Sequence, residues 1–129
     1  MLAGELEEAY DIQKERVRLC DEGRAREELY NSLFRATMMA RKIGQMAEGV
    51  LYAEQLLAES EARSNVKDES ELHYHRALLA DSYLAAGDYD SAEKTLLPVM
   101  AWIDKGGEGR TAVFGWIANG TLCYYRHDY

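Results

Sequence analysis

The chain of 129 residues contains one proline, Pro98, and few clusters of turn-forming residues. Strands depend on that punctuation, so its scarcity points to an all-α fold. Cysteine is scarce as well. Cys20 and Cys123 lie far apart and form no C-x-x-C pair, so two free, buried thiols are expected rather than a redox couple. No apolar run approaches the roughly 20 residues of a membrane span. The opening M-L-A-G-E-L-E-E is acidic and lacks the basic start and apolar stretch of a secretory signal, which makes the cytoplasm the expected compartment.

Positive charge is also in short supply: 15 Lys and Arg stand against 23 Asp and Glu, a net charge of −8. The surplus is local. Residues 1–42 sum to −1, residues 43–109 to −8 and residues 110–129 to +1. Nucleic acid and anionic membrane both call for a basic surface, so neither is an expected ligand. The acidic middle is compatible with a basic partner segment, and equally with a solvated face that keeps the protein in solution.

Catalytic and metal-binding patterns are missing too. No G-x-S-x-G, H-E-x-x-H or phosphate-binding glycine fingerprint occurs. His73 and His75 would point about 200° apart on a helix and cannot share a metal. Glu71 and His75, four residues apart, are expected to form a surface pair. Asp88 and Asp90 lack the spacing of an EF-hand loop and read as helix caps. Cys123 and His127 share a helical spacing, but no third group completes a nucleophilic site. The glycines of Lys105–Gly109 follow no strand and precede no G-K-[ST], so the segment reads as a flexible linker. An enzyme is not expected, and no cofactor is called for.

What the chain does have is 47% hydrophobic and 29% charged residues, the balance of a soluble domain with a real core. Its most ordered stretch is Leu79–Leu96. Leu72, Leu79, Ala80 and Tyr83 share one helical face, and Tyr89, Ala92, Leu96, Val99 and Ile103 share another. Gly87-Asp88 separates them, with a glycine suited to a left-handed helix end and an aspartate, Asp88 or Asp90, suited to capping the next helix. Small Ala80 and Ala92 let the two helices approach closely, and Tyr83 and Tyr89 flank the turn. Such a hairpin cannot bury its apolar face alone and requires stacked neighbours. Pro98 is expected to stop the second helix near Leu97 or to bend it.

Over residues 73–106 this pattern resembles the tetratricopeptide repeat: Leu79-Ala80 as its large–small pair, then Tyr83, Gly87, Tyr89 and Ala92 at the family's spacings. The resemblance implies an all-α, short right-handed stack of antiparallel helical hairpins, five to six helices in a single domain over residues 1–129. A half copy follows, since Trp116, Gly120, Cys123 and Tyr129 repeat Arg76, Ala80, Tyr83 and Tyr89 forty residues later. The chain is then either a fragment of a longer repeat protein or ends in a solitary capping helix. A weaker copy runs from Phe34, with Gly49 near the turn, Ala53 matching Ala92 and Leu57 near Leu96. Its rival is one unbroken helix from about Arg24 to Glu61. Repeats of this length exceed the usual 34 or so and look like the long variants of bacterial regulators and cargo adaptors. Ahead of them, Glu5–Asp21 reads as an amphipathic helix and Ala62–Ser70 as a loop, with Asp68 or Ser70 as cap.

The resemblance also implies a function and a surface. First helices of such hairpins line a concave groove that binds a peptide or partner helix, as in adaptors and co-chaperones. Carried onto this chain, the groove presents Tyr74, Ala77, Asp81 and Leu84, then Phe114, Ile117, Thr121 and Tyr124. From the weak copy it gains Arg35, Met38, Lys42 and Met46. Aromatic and methionine side chains suit recognition. Asp81 stands where the carboxylate-clamp subtype has Asn, which argues against that subtype. The competing expectation is a homodimer, or a piece of a larger regulator, whose exposed aromatics are oligomer contacts.

Overall fold

A computed structural model of the chain describes residues 3–22, 26–62 and 69–126. Six helices occupy them: α1 (Ala3–Glu22), α2 (Arg26–Lys42), α3 (Met46–Ala62), α4 (Glu69–Ala85), α5 (Tyr89–Asp104) and α6 (Arg110–Tyr125). No strand occurs among the described residues, so the all-α expectation holds. The contacts divide into two compact units, Met1–Glu59 and Ser60–Tyr129. Most of the inter-helix loop, the Asp68 cap, His127 and Tyr129 lie outside the described residues. Cys20 and Cys123 are free, half-buried thiols.

Three helix ends share one hydrogen-bond pattern. After α2, Gly44 sits at φ +83°; its N–H donates to the Arg41 carbonyl at 3.2 Å and the Gln45 N–H to the Ala40 carbonyl at 2.8 Å. After α4, Gly87 sits at φ +82°, and the same pair of bonds runs from Gly87 to Leu84 and from Asp88 to Tyr83. After α5, Gly106 repeats the pattern with Ile103, and Gly107 with Trp102. This Schellman geometry satisfies carbonyls that the helix end would orphan, and only glycine takes the left-handed position without steric cost. Asp88 then caps α5, its side chain accepting from the Ser91 N–H at 3.2 Å.

The turn at Gly44 settles the sequence between α2 and α3. Among the described residues, 26–62 form two helices rather than one, and the turn falls at Gly44 rather than near Gly49. Gly49 lies inside α3 against α2: a Cβ there would stand 3.4 Å from Arg41 Cγ and 3.6 Å from Ala40 Cβ. The two glycine turns are thus 43 residues apart, and Gly49 takes the place of Ala92, not Ala53. Periodicity alone could not fix this register, because glycine weakens a helix at either position and residue type does not separate a left-handed turn from a close helix crossing. In the first unit α1 also packs on α2, and the buried Tyr10 reaches from α1 to Glu48 of α3 with a 2.5 Å hydrogen bond. Burial and that bond push the Tyr10 phenol above its ordinary pKa.

In the second unit α4, α5 and α6 share one core of Ala80, Leu84, Ala92, Leu96, Val99, Ala118 and Leu122, with Tyr83, Tyr89 and Ile103 against it. The directions of the helices follow from which ends meet. His73, early in α4, stacks on Trp102, late in α5, with ring centroids 5.0 Å apart, so these two run antiparallel. Tyr89 at the start of α5 stacks on Tyr125 at the end of α6 at 5.4 Å, so these do too. Beside it, Arg126 pairs with Asp90 at 2.5 Å and with Glu93. By contrast Ser70 bonds Thr111 at 3.0 Å and the rings of Tyr74 and Phe114 lie 5.5 Å apart, so α6 runs parallel to α4.

Pro98 does not stop α5, which continues to Asp104. The ring removes one N–H donor, but Leu96 and Val99 are buried on either side of it while Pro98 itself is exposed. Packing therefore holds the helix where propensity would end it. The glycines after α5 do more than link. Gly107 lies on the Trp102 indole so closely that a Cβ would overlap the ring.

Candidate functional site

The exposed apolar surface of the second unit concentrates on α6. A soluble helix normally has one apolar stripe and one polar face. On α6 the inward face is Thr111, Ala112, Gly115, Ala118 and Leu122. Its outward residues are apolar as well: Val113, Trp116, Ile117 and Tyr124 are 58%, 56%, 60% and 63% exposed. Arg110 is the only charged residue between Arg110 and Tyr125.

A cleft of about 380 Å³ opens between α4 and α6, lined by Tyr74, Arg110, Val113, Phe114 and Ile117. Its floor is the tilted Tyr74–Phe114 pair. Arg110, in the first turn of α6, is the one charged group in the lining, so the cleft offers apolar area and a single cation at its rim. On the other flank of α6 a cleft of about 130 Å³ is lined by Leu96, Leu97 and Met100 of α5 and by Asn119, Leu122 and Cys123 of α6, with Glu93 and Arg126 closing one end.

The groove residues expected from the sequence fall into four sets. Tyr74, Phe114 and Ile117 come together in the larger cleft. Ala77 and Leu84 are buried, and Leu84 belongs to the shared core. The stripe that α4 turns inward passes through these two positions, so of the expected α4 face Tyr74 and Asp81 remain half-exposed. Thr121 is half-buried and turns its hydroxyl back to the Ile117 carbonyl at 2.9 Å, while Tyr124 is exposed with its ring edge on Tyr125. Met38 and Lys42, together with Arg35, are exposed on α2 in the first unit, and Met46 is half-buried at the start of α3. Arg110 and Val113 were not anticipated. Val113 stands one helical turn before Ile117, and that spacing was the available signal.

His75 corrects another expectation. It lies 3.9 Å from Glu71, as the spacing suggested, but it is buried rather than on the surface. Burial depresses its pKa to about 4, so the imidazole is neutral at pH 7 and the contact is not an ion pair there. Burial also lowers the pKa of His73, and the neighbouring Arg76 adds to the shift. Among the described residues no group of three or more His, Cys, Asp or Glu could hold a metal ion. No described helix is long and apolar enough to cross a membrane. No protein-family model, curated protein or solved structure matches the chain.

Proposed function

We propose that the protein is an interaction module built of tetratricopeptide-like hairpins, an adaptor or co-chaperone that holds a segment of another polypeptide. The observation that carries this reading is the outward face of α6, apolar along its length and continuous with the Tyr74–Phe114 cleft. Leaving such a face in water costs on the order of 25 cal/mol for each Å², and exposed apolar patches of this kind mark binding surfaces. The repeated glycine turns and the parallel placement of α4 and α6 support the tetratricopeptide-like reading. Because Arg110 is the only charge lining the cleft, recognition rests on apolar area, and the acidic residues 43–109 set long-range attraction to a basic partner. A cytoplasmic setting accords with this role.

The test is capture of partners by the immobilised protein, with identification by mass spectrometry, for wild type, Tyr74→Ala and Phe114→Ala. One set of partners should be lost in both variants while circular dichroism is unchanged. Unchanged capture by both variants refutes the cleft as the binding surface. Light scattering that finds a tight dimer burying Trp116 and Tyr124 would favour the self-associating alternative.

A further inference from the structure

The parallel placement of α4 and α6 allows the two helices to be compared position by position, forty residues apart. In α4 the stripe His73, Ala77, Ala80 and Leu84 is buried. His73 lies on Trp102 of α5, and Ala80 and Leu84 meet Ala92, Leu96 and Val99 of α5 in the core. The same stripe in α6 is Val113, Ile117, Gly120 and Tyr124, and all four are exposed. What α5 does for α4, nothing in the described chain does for α6.

The glycines give an independent indication. A glycine inside a helix costs about 1 kcal/mol relative to alanine, so each one away from a helix end calls for a reason. Gly49 has one, since α2 lies against it. Gly115 has one, since a Cβ there would stand 2.9 Å from Val99 Cγ1 and 3.0 Å from Ile103 Cδ1. Gly120 is mid-helix, exposed, without positive φ and with nothing within 4 Å of a Cβ. It corresponds to Ala80, the small residue in the core that α4 shares with α5. Its absent side chain is explained once a helix crosses α6 closely at that point.

We infer that the stripe Val113–Ile117–Gly120–Tyr124 is a docking site for one amphipathic helix of the α5 kind, supplied by a partner and running antiparallel to α6. This inference rests on the proposed function and specifies the form of its partner. The occupant carries a small residue over Gly120, in the place of Ala92, and aliphatic residues four and seven positions on, in the places of Leu96 and Val99. It completes with α6 the hairpin that α4 forms with α5. Its carboxyl end lies near Arg110, a cation suited to the carbonyl end of a helix. One edge rests on Trp116 and on the cleft of Leu97, Met100 and Cys123. A second copy of the chain is the rival occupant, and the experiment separates the two.

The probe is a fluorescein-labelled peptide of residues 88–105 carrying a hydrocarbon staple in place of Lys94 and Pro98, both of which face solvent in α5. The staple supplies the helicity that a peptide of this length lacks in water. Anisotropy titration against the full chain should saturate at one peptide per chain. In 5-fluorotryptophan-labelled protein the Trp116 resonance should move with it. Gly120→Leu fills the crossing point without touching the fold and should weaken binding about tenfold or more, with the circular dichroism of wild type. Binding no tighter than that of a scrambled stapled peptide overturns the inference, as does equal binding to Gly120→Leu. A concentration-dependent dimer in sedimentation that shields Trp116 before peptide is added also overturns it, assigning the face to a second copy. If Tyr74→Ala abolishes partner capture while the stapled peptide fails, the interaction module stands and the helix-docking inference alone falls.

Discussion

Helices α4 and α6 run parallel, with partners about forty residues apart, and meet opposite fates. His75 and Gly115 correspond, and each faces inward; Ala80 and Gly120 correspond, and only Ala80 is covered. The difference shows that apolar pattern and burial are separate properties. Both helices carry an apolar stripe at the same register, but burial depends on whether another helix arrives. On α6 one face is core and the other is exposed, and mutations on the two faces should have opposite consequences.

The strongest break in the comparison is Gly115→Leu. With Val99 and Ile103 already at contact distance from a Cβ, the added side chain must push α6 from α5, at a cost of about 3 kcal/mol. Urea denaturation monitored by circular dichroism measures it. His75, the α4 counterpart, gives an effect of similar size with pH as the variable. Its folded pKa of about 4 lies below the 6.5 of an unperturbed imidazole. The unfolded chain therefore takes up the proton first as pH falls. The stabilisation is whole above pH 6.5 and is lost progressively down to pH 4, on the order of 3 kcal/mol in total. His75→Leu should flatten that part of the stability–pH profile, and an unchanged slope would show that other groups govern it.

The two glycine turns allow a finer comparison. Gly44 and Gly87 share nearly the same φ and the same bonds, so Gly44→Ala and Gly87→Ala should each cost about 1–2 kcal/mol. Unequal losses in calorimetry would mean that one turn relaxes where the other cannot. The smallest effect has the opposite sign. Gly120→Ala touches nothing and improves helix propensity, so it should stabilise the chain by roughly 0.5–1 kcal/mol, read as a higher Tm. A loss instead would indicate a contact on that face.

Much of this was legible in the residues. The hairpin at Gly87 was readable because three signals coincide there: two apolar faces, a glycine and a capping aspartate. The hairpin at Gly44 was misplaced because Gly44 and Gly49 both weaken the helical pattern, and only backbone conformation distinguishes a left-handed turn from a close helix crossing. Tyr74, Phe114 and Ile117, which the family resemblance carried onto one groove, do line a common cleft. Ala77 and Leu84 do not, since a helix wedged between two neighbours hides a wider arc than a single-sided stripe predicts.

By itself the sequence determined the helical class, the acidic balance and the glycine turn at residue 87, because propensity, charge and spacing are local properties of the chain. Tertiary structure alone decided that α5 continues through Pro98, that His75 is neutral, and that α6 is packed on one side and bare on the other. Each of those depends on which surface a distant residue covers, and no local pattern carries that information.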